Sequence, residues 1–131
     1  KRQLLTQIPK LKERLCHSRL ISNAYRSGLD GVESIDIIEH ESDTEIGPYV
    51  EAKVPEVMRN ELIAYLDQSG IGARPAFPTL NSCSYIESSA STQAANARAW
   101  SKQVIYLPSG PALKVEAVAH ICELIRRKLR A

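Results

Sequence analysis

Apolar residues recur at intervals of three and four from Leu4 through Ile8, Leu11, Leu15, the small Ser22, Tyr25 and Leu29. That is the period of one helical face, so the spacing predicts a long amphipathic helix over residues 1–30, closed near Gly28 or Gly31. Pro9 complicates its start, because proline fits a first turn but not a helix interior. Either the helix begins near Gln7 or two helical pieces meet at a kink. Leu4, Leu5 and Ile8 precede the main run with no obvious partner in the chain. Such an opening either docks on another subunit or domain, or packs on its own core.

The pattern then changes to a period of two. Ser34 to Ile38 alternates, and Pro48 to Val54 places Val50, Ala52 and Val54 on one face, so two antiparallel strands are expected there. The acidic connection from His40 to Glu45 reads as a solvated hairpin loop, since it lacks the glycine and acid spacing of a calcium loop. Pro55 to Ser69 has helical spacing, with Met58, Leu62, Tyr65 and Leu66 on its inner side and Gly70 as its stop. A third strand is expected over Ile71 to Ala76. After a polar connector from Ser82 to Ser91, a helix over Thr92 to Lys102 takes propensity from its alanines and an anchor from Trp100. Val104 to Leu107 forms a fourth strand, closed by Pro108-Ser109-Gly110-Pro111. A last helix from about Leu113 to Leu129 carries Val115, Val118, Cys122, Ile125 and Leu129 in one stripe. The order implies an α+β layer with a small, mainly antiparallel sheet of about four strands packed with helices, in a single domain over 1–131.

Composition narrows the function classes. With 131 residues, 44% of them hydrophobic, the chain is long enough for a core. A net charge of +2, scattered except at the end, is too mild for a dedicated nucleic-acid binder. Arg126, Arg127, Lys128 and Arg130 at the end of the last helix read as a dipole-favoured, solvated terminus. No apolar run approaches the roughly 20 residues that cross a bilayer, so neither membrane nor nucleic acid is expected as a partner. Three separated cysteines suit reduced thiols and a cytoplasmic location better than disulfides. His17, His40 and His120 stand on separate elements, so no metal site is expected. Catalytic residues are expected to be absent too: no serine stands in a nucleophile elbow, and Gly70-Ile71-Gly72 lies on the wrong side of a helix for a phosphate turn.

The candidate chemistry gathers in Gly70 to Asn81. A guanidinium, the chain's one phenylalanine, a side-chain amide and the prolines Pro75 and Pro78 lie together on a stiffened backbone that has little freedom to lose on binding. Arg74, Phe77, Pro78, Leu80, Asn81 and Tyr85 are the candidate substrate-binding residues, Tyr85 and Cys83 of the following connector being expected to line the same site. Arg74 offers planar recognition of carboxylate or phosphate, or alternatively a structural ion pair with Glu56 or Glu61.

Three stretches together carry a family resemblance: Arg14 to Leu29, Arg59 to Asn81 with its helix ending in Gly-Ile-x-x-Arg, and Tyr106 to Leu129 opening on Tyr-Leu-Pro-Ser-Gly-Pro. They resemble the C-terminal small domain of the DegT/DnrJ/EryC1/StrS aminotransferases, pyridoxal-phosphate enzymes that aminate nucleotide-linked keto-sugars in amino-sugar and surface polysaccharide biosynthesis. The resemblance implies a fold-type-I small domain, a missing N-terminal large domain joined through helix 1–30, and a homodimer with sites at the subunit boundary. It also implies that the Schiff-base lysine and most cofactor contacts belong to the large domain. None of Lys1, Lys10, Lys12, Lys53, Lys102, Lys114 or Lys128 is then catalytic, and the chain alone is expected to be inactive and without cofactor. The amino donor it implies is glutamate. The family loop Tyr-x-Pro-Leu-His matches Phe77 to Asn81 approximately, with Asn81 where a histidine is common and Lys114 where a capping serine or threonine is common. Two readings from other classes stand beside it: a stand-alone α+β module binding an acidic small molecule or protein partner, and a dimerisation domain pairing through its first helix.

Overall fold

The computed structural model describes residues 8–39, 47, 49–82 and 94–130. The readings made for Leu4, Leu5, the acidic connection 40–45, Cys83 and Tyr85 lie outside these residues. A 3-10 turn at Ile8–Lys10 carries Pro9 and leads into α1, Leu11–Leu29. The proline therefore sits ahead of the α-helix, where its missing N–H leaves no helical bond unmade. The other helices are α2 (Glu56–Gln68), α3 (Ala95–Gln103) and α4 (Val115–Arg130). The strands are β1 (Asp36–Ile37), β2 (Val50–Lys53), β3 (Arg74–Pro75) and β4 (Val104–Leu107).

The strands form one antiparallel sheet in the order β1-β2-β4-β3. Register aligns Ile37 with Ala52 and Ala52 with Ile105, and Val50 with Leu107, so these buried side chains share one face. Onto that face pack Ile21, Tyr25 and Leu29 of α1, Leu62 and Leu66 of α2, and Val118, Ile121, Cys122, Leu124 and Ile125 of α4. Alternation sends Glu51, Tyr106 and Arg74, which are aligned across three strands, to the opposite face. The fold class is thus the expected α+β arrangement.

Local chemistry explains the element ends. Gly70 has φ +76°, its N–H donates to Asp67 O at 2.9 Å and Ile71 N–H donates to Leu66 O at 2.8 Å. This is the paired-bond stop that a left-handed glycine permits, and Ile71 packs back on the core behind it. The third strand is shorter than Ile71 to Ala76, because the Ala73 N–H turns back to Ile71 O at 3.0 Å and keeps the first residues out of the ladder.

α1 and α4 meet closely. A Cβ added at Gly28 would lie 2.6 Å from Cys122 Sγ and 3.1 Å from its Cβ, so only glycine allows this approach. Tyr25 donates its hydroxyl to Pro108 O at 2.9 Å, and Arg126 donates to the carbonyl oxygens of Gly28 at 2.6 Å and Asp30 at 2.9 Å. Arg126 is therefore not merely solvated; it satisfies carbonyls left open where α1 ends.

Three burial expectations need correction. Trp100 does not anchor α3: it is 43% exposed, and no residue of that helix is buried. The inner stripe of α4 begins at Val118, with Val115 at 41% exposure and Ile121 and Leu124 taking core places instead. In α1, Ile21 rather than Ser22 enters the core, while Leu11 and Leu15 remain exposed. A helical face predicts which side is apolar, but the length of the neighbouring element decides how far along it is covered.

Candidate functional site

β3 is an edge strand, and it presents Arg74 on the sheet face turned away from the helices. The guanidinium carbon lies 4.9 Å from the ring centre of Tyr49 and 6.0 Å from that of Tyr106. The two tyrosines stack, with centroids 4.7 Å apart and planes at 27°. Phe77 tilts against Tyr106 at 5.7 Å and 59°. One cation and three rings thus form a continuous platform.

Arg74 is not engaged by either carboxylate of the alternative ion-pair reading. Glu56 pairs with Lys102 at 3.1 Å and Glu61 with Lys128 at 3.4 Å. Arg74 lies against rings instead, an attraction to the π face that uses none of the guanidinium N–H groups as conventional hydrogen-bond donors. The cause is topological: β3 pairs with β4, and Arg74 stands directly across from Tyr106.

Of the candidate residues, the structure brings Arg74 and Phe77 together through Tyr106. Pro78 and Leu80 are exposed farther along the loop, Leu80 at 75% and Phe77 at 65%. Asn81 falls in the 3-10 turn Leu80–Ser82. Sequence reasoning missed Tyr49 and Tyr106, which lie 57 residues apart in the chain. Period-two alternation places both on one strand face, but only the β2–β4 pairing makes them neighbours.

Beside the platform lies a hollow of about 380 Å³, lined by Tyr49, Gly72, Arg74, Tyr106, Ser109 and Gly110 among others. Ser109 Oγ accepts from Val50 N–H at 3.3 Å, so its own proton is free to be donated. A larger hollow of about 780 Å³ runs along the free edge of β1, beside Asp30, Glu33, Asp36, Lys53 and Trp100. Its walls hold the exposed Arg26–Glu39 pair and separate surface carboxylates, so it gathers no convergent set of groups. Among the described residues no His, Cys, Asp and Glu side chains group to hold a metal, and no helix is long and apolar enough to cross a membrane.

The buried titratable groups are structural. Burial pushes the Cys122 thiol up to about 11, with Arg126 opposing weakly, and burial also raises Tyr25, with a smaller push from Cys122. A thiol held protonated is a poor nucleophile.

Comparison with known proteins fits this architecture. No curated protein matches the chain by sequence. Among solved structures, DesV of S. venezuelae in complex with a ketimine intermediate is similar over 98% of this chain and 35% of its own, at 23% identity and a TM-score of 0.84. DesI in the presence of its TDP-sugar product matches over 95% and 33%, at 19% identity and 0.84. The sugar aminotransferase CalS13 from Micromonospora echinospora matches over 94% and 33%, at 22% identity and 0.80. The likeness is one of fold, and the chain spans about a third of the length of these structures. A sequence profile matches residues 3–126, nearly the whole chain, and on that ground the chain belongs to the DegT/DnrJ/EryC1/StrS aminotransferase family.

Proposed function

We propose that this chain is the C-terminal small domain of a pyridoxal-phosphate-dependent aminotransferase that transfers an amino group, with glutamate as donor, to a nucleotide-linked keto-sugar. The observation that carries this reading is the family match over residues 3–126, together with a fold shared with about a third of each sugar aminotransferase it resembles. Within that enzyme, Arg74 and the Phe77 to Asn81 loop form one wall of the substrate site, and Tyr85 of the connector adds to it.

None of the chain's described lysines has the surroundings of a Schiff-base lysine. Lys10, Lys12, Lys53, Lys102 and Lys114 are exposed, and Lys128 is engaged with Glu61. None stands in an enclosed pocket of the kind that activates a Schiff-base lysine. The contribution proposed here is to bind and orient the substrate and exclude water, while the lysine and the cofactor contacts lie in a large domain.

The overhanging part of α1 supplies the junction. Ile8 (63% exposed), Leu11 (55%) and Leu15 (37%) continue the helix face that is buried farther on at Tyr25 and Leu29. In the proposed enzyme the large domain covers this stripe, and two such subunits form the active homodimer in the cytoplasm.

The test is amino transfer by the full polypeptide from glutamate to a TDP-linked keto-sugar with pyridoxal phosphate present. Arg74→Ala is expected to raise KM for the sugar about tenfold while changing kcat far less. Absence of a lysine-bearing cofactor domain from the same polypeptide, or absence of transfer, overturns the reading.

A further inference from the structure

We propose that the hollow beside Arg74 is an oxyanion subsite: it takes a carboxylate or phosphoryl group, with Arg74 as its cation and Ser109 as a second donor. The inference rests on the reading that this sheet edge borders the substrate site, and it adds the chemistry of the group bound there and three residues, Tyr49, Tyr106 and Ser109, that hold it.

The first support is how Arg74 is held. A surface arginine normally loses considerable side-chain freedom when it binds an anion. Here the guanidinium carbon lies 4.9 Å and 6.0 Å from the ring centres of Tyr49 and Tyr106, and Phe77 braces Tyr106 in turn. Part of the ordering cost is therefore met before any ligand arrives. A cation–ring contact needs none of the guanidinium N–H groups as conventional hydrogen-bond donors, and those donors match the paired oxygens of a carboxylate or phosphoryl group.

The second support is what surrounds those donors. Arg74, Ser109, Gly72 and Gly110 line one hollow of about 380 Å³. Ser109 already accepts from Val50 N–H, which orients its oxygen and leaves its hydroxyl proton to donate. Glu51 shares the row of aligned positions with Tyr106 and Arg74, but Tyr106 lies between them, on the central strand of the three. Arg74 has no salt bridge to Glu51 among the described residues. An arginine placed on rings, without a carboxylate partner among the described residues and beside a second donor, is disposed to bind an anion from outside.

The two positioning tyrosines have different tests from the cation. In the full polypeptide, calorimetric titration with inorganic phosphate and, separately, with glutarate identifies which oxyanion is preferred; glycerol is the neutral control. At least one anion is expected to bind saturably, and Arg74→Lys is expected to weaken it about tenfold because an ammonium cannot reproduce the planar fork. Tyr49→Leu weakens it about threefold, whereas Tyr49→Phe, which keeps the ring, retains the affinity. Ser109→Ala costs about threefold as well. Should a variant fail to fold, the Nε–H resonance of Arg74 in the unaltered protein decides: it shifts with anion and not with glycerol. Binding of neither anion, equal binding by folded Arg74→Lys, or an Arg74 resonance unmoved at saturation overturns the proposal. Anion binding that fails while amino transfer persists removes this subsite alone. Transfer that fails while anion binding persists removes the transaminase reading and leaves the subsite.

Discussion

The two halves of α1 carry the same kind of sequence and meet opposite fates. Toward its end, Ile21, Tyr25 and Leu29 are 0%, 0% and 4% exposed, Gly28 lies against Cys122, and Arg126 closes the last carbonyls. Toward its start, Leu11 and Leu15 are exposed, and the imidazole Nε2 of His17 is buried without a hydrogen-bond partner among the described residues. Apolar periodicity is nearly uniform along the helix; what differs is whether α4 and the sheet reach that far. An amphipathic stripe is therefore evidence of a partner surface, and its location has to come from elsewhere.

The largest effect expected on this contrast is from Tyr25→Ala in the 131-residue chain. It removes a fully buried ring and the bond to Pro108 O, and should cost about 3–5 kcal/mol in chemical denaturation. A loss below about 1 kcal/mol would mean that α1 is not welded at this end. Next is Gly28→Ala. Its methyl forces α1 and α4 apart against Cys122, at a cost of about 1–3 kcal/mol from overpacking, partly offset by better helix propensity. Combining it with Cys122→Ala should recover much of the loss, and purely additive effects in the double-mutant cycle would disprove the contact.

The same end also predicts a pH response. The folded state holds the Cys122 proton up to about 11, against an ordinary 9.0, so above the unfolded value the unfolded chain binds fewer protons and stability falls as pH rises. That contribution is fully present below about pH 9 and is lost as pH climbs through 11, with raised Tyr25 acting in the same direction. Melting temperature measured across this window should decline, and less steeply in Cys122→Ala. The smallest effect belongs to the other half: Leu11→Glu with Leu15→Glu should shift stability of this chain by no more than about 0.5 kcal/mol. In the full polypeptide the same pair should loosen the proposed junction, seen as faster proteolysis between the domains.

Much of the architecture was legible because the deciding signals are local. Gly70 ends a helix by its own backbone freedom, and Val50 and Ala52 alternate within β2, with Val54 continuing the buried face just past its end. The site was only half legible. Arg74 and Phe77 stand close in sequence and drew attention together, while Tyr49 and Tyr106 become their neighbours only through β2–β4 and β3–β4 pairing. Trp100 misled for a related reason: its size marked it as core, yet α3 contributes no buried residue. Tyr85 lies outside the described residues, and Arg74 lies against rings rather than against Glu56 or Glu61, the alternative its sequence left open.

The strand order has a consequence for synthesis at the ribosome. Of the four described strands β4 is translated last, yet it lies between β2 and β3, so neither can gain that neighbour until Leu107 has left the exit tunnel. Until then, among the described strands, β2 has only the two residues of β1 to pair with and β3 has none. The platform of Arg74 and its rings is consequently among the last features to assemble in the nascent domain.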